Sequence, residues 1–173
     1  MLDKLMARHP ELRIIWAPRH IDRIGEIEEL FATWSLPCAR KSQGPTLSVH
    51  NVLWDTMGDL LDAYKQADVA VVGGSFVPKG GQNPLEPAAL QVPVVFGPSM
   101  ENFSEIASRF VAAGAAVQVD SPEDVGVAWI ELFRDPARMK KMGETAEQLV
   151  ASSRGAADRA LAEIAKHLDG GAR

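Results

Sequence analysis

The strongest constraint on this chain is an alternation along its length, in which short continuous apolar runs are each followed by a stretch of helical period. LRIIWAP (Leu12 to Pro18), a run near Ala39, Leu47 to Val52, DVAVVGG (Asp68 to Gly74), VPVVFG (Val92 to Gly97) and Ala115 to Val119 read as strands. Between them, Ile24, Ile27, Leu30, Phe31 and Trp34, then Leu60, Leu61 and Tyr64, then Phe103 to Ala112, recur at helical spacing. Leu2, Leu5 and Met6 suggest an opening helix, and helices follow from Pro122 onward, the last two separated near Gly155. Apolar runs that do not alternate with polar residues need cover on both faces. The pattern therefore predicts an α/β fold: a Rossmann-like parallel sheet of about six strands with helices on both sides.

With 173 residues, of which 46% are hydrophobic and 24% charged, one domain spanning 1–173 is the economical reading. No internal repeat interrupts it, and only Gly170 to Arg173 reads as a frayed tail. The net charge of −5 gives no basic face for nucleic acid. The single cysteine, Cys38, allows no internal disulfide and no cysteine metal cluster, and it reads as a half-buried packing residue. Apolar stretches fall far short of the ~20 residues needed to cross a bilayer. The opening MLDKLMARHP shows no signal peptide and reads like mid-protein sequence.

In an open parallel sheet, ligands bind beyond the carboxyl ends of the strands. Three such ends draw attention. After the Asp68–Val72 run comes GGSFVPKGGQNPLEP (Gly73 to Pro87), with two glycine pairs. Its backbone is suited to turning tightly and aiming N–H groups at an anion. It leads into a helix start with Asn83 as N-cap, Pro84 at the first helical position and Glu86 at capping-box spacing. A helix start suits phosphate, but the same residues also describe a plain capped helix after a surface loop. Glu86 reads equally as a cap residue and as an acceptor for ribose hydroxyls. The loop matches neither the Walker A pattern nor G-x-G-x-x-G.

After the first strand, APRH places Arg19 at the sheet edge, where a guanidinium suits phosphate, unless it pairs with Asp22 or Glu26. His20 reads as solvated or capping. After the Leu47–Val52 run, WDTMGDL offers Asp55 or Thr56 as a helix cap. In the same segment Gly58 is a place for close approach, Met57 a surface for a base or a gap-filler, and Asp59 a first-turn carboxylate.

The segments APRH, DTMGDL, GGSFVPKGGQNPLEPAAL and VPVVFGPSMENFSEIA, with their spacing, resemble the C-terminal domain of 3-deoxy-D-manno-octulosonic acid (Kdo) transferases over nearly the whole chain. The resemblance is most specific over Gly73 to Glu86 and Gly97 to Phe103. It implies the C-terminal half of a GT-B glycosyltransferase and transfer of Kdo from CMP-Kdo to a lipid A precursor (lipid IVA). That step belongs to lipopolysaccharide core biosynthesis, at the cytoplasmic face of the inner membrane of Gram-negative bacteria. No metal or organic cofactor is implied.

Carried over by motif, the nucleotide-binding residues are Pro18 and Arg19; Met57, Gly58 and Asp59; Gly74 and Ser75; and Asn83, Pro84, Leu85 and Glu86. Arg19 and the backbone N–H groups from Gly73 to Asn83 would stabilise the leaving phosphate, and Lys79 reads as an assisting charge or a solvated loop lysine. Gln82 stands where histidine is common in the family. Asp59 stands where glutamate is common, a shorter reach with the same charge. The family's N-terminal domain, with acceptor site and catalytic base, is not in this chain, so no base is assigned and the fragment alone is expected to be inactive. The competing readings are the donor half of another GT-B enzyme, a sugar-nucleotide epimerase of that architecture, and a non-catalytic nucleotide-binding module.

Overall fold

The computed structural model describes Met6, residues 9–45 and residues 49–170, the stretch from 154 onward by its backbone alone. The expected opening helix therefore lies outside the described residues except for Met6, as do Leu47 and Ser48 of the third predicted strand. The chain divides into two compact units, Met1–Gln66 and Ala67–Arg173.

In the first unit the order is β1 (Ile14–Trp16), α1 (Ile24–Thr33), β2 (Cys38–Arg40), β3 (Asn51–Leu53) and α2 (Leu60–Tyr64), with 3-10 turns at Ile21–Arg23 and Lys41–Gln43. The three strands are parallel in the order β1-β3-β2, and Trp16 and Arg40 both stand opposite Leu53. The central strand β3 is buried throughout. Its one polar residue, Asn51, is satisfied: its amide donates to the Pro37 carbonyl at 3.1 Å, and its Oδ1 accepts from Trp16 Nε1 at 3.1 Å. Burial of an amide demands such partners. Helix α1 lays Ile24, Ile27 and Phe31 on Leu53, with Ile21, Leu36 and Cys38 around them. Leu30 and Trp34, grouped with that face by their spacing, are 45% and 57% exposed. The helix ends as Ser35 takes φ 54° and Leu36 N–H closes back on the Phe31 carbonyl at 2.9 Å.

In the second unit the order is β4 (Ala70–Val71), α3 (Leu85–Ala88), β5 (Val94–Phe96), α4 (Ser104–Ala112), β6 (Ala116–Gln118), α5 (Val125–Arg134) and α6 (Pro136–Gly170). Its strands are parallel in the order β4-β5-β6. The central strand explains the continuous apolar run. Val94 and Phe96 join Val72, Ala88, Ala107 and Phe110 in one core, while Val95 joins Ala128, Leu132 and Met142 in another. Successive side chains point to opposite faces, so a strand covered on both sides has no polar position.

All six expected strands are present, and within each unit three of them pair as a parallel ladder. Each strand is only two or three residues long and offers few ladder bonds. The break between the last two helices also differs from expectation. It falls at Asp135, with φ −127° and ψ 78°, and α6 runs on through Gly155. A residue before proline is driven out of the helical region, so Pro136 ends α5. Asp135 then starts α6 by accepting the Arg138 N–H at 2.9 Å. A single glycine costs a helix only about 1 kcal/mol, which the alanine-rich stretch after Gly155 tolerates.

Candidate functional site

Two of the three sequence-marked segments meet in the first unit. Trp54 N–H donates to the Trp16 carbonyl at 2.8 Å, so the chain leaves β1 and β3 side by side at the carboxyl edge. From β1 come Pro18, half-buried, and Arg19, exposed. Neither expected partner takes Arg19: Glu26 pairs with Arg23 at 2.8 Å, and Asp22 makes no ion pair with it. Among the described residues Arg19 forms no ion pair or side-chain hydrogen bond, which leaves its guanidinium open for an anion. His20 is exposed and precedes the 3-10 turn, and its carbonyl accepts the Arg23 N–H at 3.2 Å.

From β3 the chain passes through buried Trp54 to an outward turn. Met57 at its tip is 81% exposed, which excludes the gap-filling role. Gly58 has φ +87° with nothing within 4 Å of where a Cβ would stand, so backbone geometry and not crowding selects glycine here. Neither Asp55 nor Thr56 caps α2, as was expected; Asp59 occupies the cap position without a side-chain cap bond. The reason lies in competing partners. Asp55 is drawn to Ser42, whose N–H it accepts at 2.9 Å and whose hydroxyl it also holds. Burial pushes the Asp55 carboxyl up, but the Ser42 bonds outweigh it and the net shift is downward. Thr56 Oγ1 turns to Asp59, at 2.8 Å from Oδ1 and 2.7 Å from Oδ2.

Asp59 is the hub of this turn. It holds Lys41 Nζ in a short ion pair and accepts from Trp54 Nε1 at 2.8 Å as well as from Thr56. Lys41, then Thr56 and Trp54, hold its carboxyl down at about 2. Sequence reasoning passed over Lys41. It reaches this edge because β2 pairs with β3, which brings the residues just after Arg40 beside those just after Leu53. A firm end for the strand near Ala39 was the signal needed to find it.

In the second unit the glycine loop doubles back on itself. Gln82 N–H donates to the Gly73 carbonyl at 2.9 Å and Gly81 N–H to Gly74 at 3.3 Å. Gly80 and Gly81, at φ 77° and 71°, make the return that side-chain-bearing residues resist. The expectation that N–H groups from Gly73 to Asn83 aim at an anion needs correction for four of them. Lys79, Gly80, Gly81 and Gln82 already donate within the protein, to Val77, Ser99 Oγ, Gly74 and Gly73. A loop that folds back satisfies its own donors.

The segment after β5 clamps the loop. Asn102 donates from its backbone to the Gly80 carbonyl at 3.0 Å and from its side chain to Lys79 at 3.0 Å. Ser75 is wholly buried: its hydroxyl donates to the Val72 carbonyl at 2.7 Å and accepts the Gly97 N–H at 2.9 Å. Ser75 thus holds the loop and does not offer its hydroxyl outward. The clamping roles of Ser99 and Asn102 were not visible in sequence.

The capping pattern at α3 is also altered. The helix proper begins at Leu85, and Pro84 occupies the cap position. Asn83 Oδ1 accepts the Leu85 N–H at 3.0 Å. Glu86 answers through the Asn83 side-chain amide, Nδ2 to Oε1 at 3.1 Å, so a side chain takes the role a backbone N–H plays in a capping box. Glu86 is half-buried, and its Oε1 alone is engaged in this way. The helix is only four residues long, so its aligned peptide dipoles lend an anion little help. Lys79 stands exposed on the loop, and Cys38 is half-buried in β2, where burial pushes its thiol up. Among the described residues no group of three His, Cys, Asp or Glu side chains is arranged to hold a metal ion, and no helix is long and apolar enough to cross a membrane.

No family model matches the chain. It is 32% identical over 168 residues to the 3-deoxy-D-manno-octulosonic acid transferase of Haemophilus influenzae, covering 95% of this chain and 39% of that protein. It is 37% identical over 159 residues to the enzyme of the same name from Bordetella pertussis, covering 90% and 37%. The chain thus spans about two fifths of the length of the curated relatives it matches. Its structure is similar to the C-terminal CMP-Kdo binding domain of WaaA from Acinetobacter baumannii, with a TM-score of 0.82 and 31% identity over 86% of this chain and 79% of that one. A C-terminal domain of a group 1 glycosyl transferase from Francisella tularensis shares the fold at TM-score 0.57 and 16% identity, over 86% and 73% of the two chains. By this extent of shared sequence and fold, the chain belongs to the 3-deoxy-D-manno-octulosonic acid transferase family, within its C-terminal domain.

Proposed function

We propose that this chain binds CMP-Kdo as the donor half of an enzyme that transfers Kdo to a lipid A precursor. The observation that carries the reading is Arg19, an exposed guanidinium with no ion pair among the described residues, on the segment leaving β1, the neighbour of the β3 strand that leads to the Met57–Gly58 turn. Its chain matches, in sequence and fold, a domain named for binding CMP-Kdo. In this proposal Pro18 and Arg19 take the phosphate, and Met57 with the open backbone at Gly58 takes the nucleoside. In the second unit, taken by itself, Glu86 keeps one carboxylate oxygen that Asn83 does not use, an acceptor suited to a hydroxyl of the donor. Gly74, Ser75, Asn83, Pro84 and Leu85 shape and hold the loop that presents it.

As the bond to the anomeric carbon breaks, CMP leaves and its phosphate gains charge, which Arg19 offsets. The attacking hydroxyl and the carboxylate base that assists it come from the N-terminal domain of the whole enzyme. No metal or organic cofactor enters the proposal, and its setting is the cytoplasmic face of the inner membrane. Calorimetric titration of the chain with CMP and with UMP tests it. Arg19→Ala should weaken CMP binding by roughly 1.5–3 kcal/mol, the usual worth of a hydrogen bond to a charged group. Unchanged binding in that variant overturns the site. Preference for UMP points to another GT-B donor, and turnover of CMP-Kdo by the chain alone overturns the division of labour.

A further inference from the structure

We propose that Lys41 is a positioning residue for nucleotide binding and that the Asp59 carboxylate anchors the Met57–Gly58 turn and is not itself a contact to the nucleotide. The inference rests on the donor-site reading above and deepens it. A carboxylate has about four acceptor positions. Asp59 has three of them taken, by Lys41 Nζ, Trp54 Nε1 at 2.8 Å and Thr56 Oγ1 at 2.7–2.8 Å. Little capacity remains for a ribose or a base.

Lys41 is tied to the same structure twice more. Its Nζ donates to Thr56 Oγ1 at 2.9 Å and sits 4.1 Å from the centroid of the Trp54 ring, a cation–π contact. Lys41, Trp54, Thr56 and Asp59 therefore form one closed cluster under the turn. Above it stand the two residues the cluster does not hold, Met57 at 81% exposure and Gly58 with open space around it. A fixed base with an open tip presents a preorganised surface, which lowers the ordering cost of binding. The shorter aspartate fits this arrangement, because its carboxylate lies back against Trp54 and Lys41 and does not reach outward.

The test uses Lys41→Met, Lys41→Arg, Asp59→Asn and the double variant Lys41→Met/Asp59→Asn, with two readouts: calorimetric affinity for CMP, and the indole N–H resonance of Trp54 without ligand. Lys41→Met should move the indole resonance and weaken CMP binding by about tenfold, while Lys41→Arg restores most of it and the double variant is no worse than Lys41→Met. Lys41→Met binding CMP within about twofold of the parent, with the indole resonance shifted, overturns the positioning role. Asp59→Asn losing affinity without moving the indole resonance shows direct contact and overturns the anchor role. If Lys41→Met does not fold, the comparison of Lys41→Arg with Asp59→Asn decides by the same criteria. Failure of the parent chain to bind CMP counts against the donor-site reading itself, and so is distinct from these outcomes.

Discussion

Gly143 sits inside α6 where a glycine should weaken the helix, and the substitution Gly143→Ala tests why it is there. Helix propensity alone favours alanine by about 1 kcal/mol. A Cβ at this position, however, would run into the backbone carbonyl of Gln91. Gln91 has little room to yield: its φ is 60°, its N–H is bound to Ala88 at 3.1 Å, and the next N–H, of Val92, is bound to Pro87 at 3.1 Å. Gly143 is flanked by Met142 and Ala146, both buried in the core beneath α6. Overpacking costs 1–3 kcal/mol in typical cores, and a backbone obstacle belongs at the upper end, about 3 kcal/mol. Subtracting the propensity gain leaves a net destabilisation of about 2 kcal/mol. For a chain of this size that corresponds to roughly 4–8 °C in Tm. Urea and thermal unfolding followed by far-ultraviolet circular dichroism measure it. A variant as stable as the parent, or more stable, refutes the claim that α6 needs glycine for close approach.

Three further outcomes are expected. Ser75→Ala removes the shared partner of the Val72 carbonyl and the Gly97 N–H in a fully buried place, so unfolding measurements should show a loss of roughly 1–3 kcal/mol per group left unpaired. Glu86→Ala should weaken CMP binding in calorimetry and also cost about 1 kcal/mol of stability, since the Asn83 amide loses its acceptor; an unfolding curve on the same variant separates the two. Asp59 has its carboxyl lowered from 3.8 to about 2 by Lys41, Thr56 and Trp54, so its stabilising effect is complete above the ordinary value and is lost as pH falls through about 2. The Trp54 indole resonance should therefore titrate near pH 2 in the parent and closer to 3.8 in Lys41→Met, and an unchanged midpoint there disproves the coupling.

Local physics made much of this protein legible before any coordinates. A strand buried on both faces has no polar position to show, which is why Val94–Phe96 and its neighbours stood out as continuous apolar runs and gave the parallel α/β class. Helix spacing, the glycine loop and the Asn-Pro-x-Glu start were likewise local signals, and Arg19 followed from the rule that ligands meet strand ends. Local signals failed where two of them compete. Gly155 and Pro136 both read as breakers, but only proline forbids the helical geometry of its predecessor.

What the tertiary structure alone decided concerns partners distant in sequence. Lys41 meets Asp59 only because β2 lies beside β3, and Asn102 grips Lys79 and Gly80 only because β5 lies beside β4. Those pairings give four of the loop's N–H groups acceptors inside the protein, and they bring Lys41 onto the Asp59 carboxylate. The sequence by itself determined the fold class, the family and an arginine at a strand end, because each depends on residues near one another in the chain. Which donors and acceptors remain available depends on strand order, and strand order is a property of the folded chain alone.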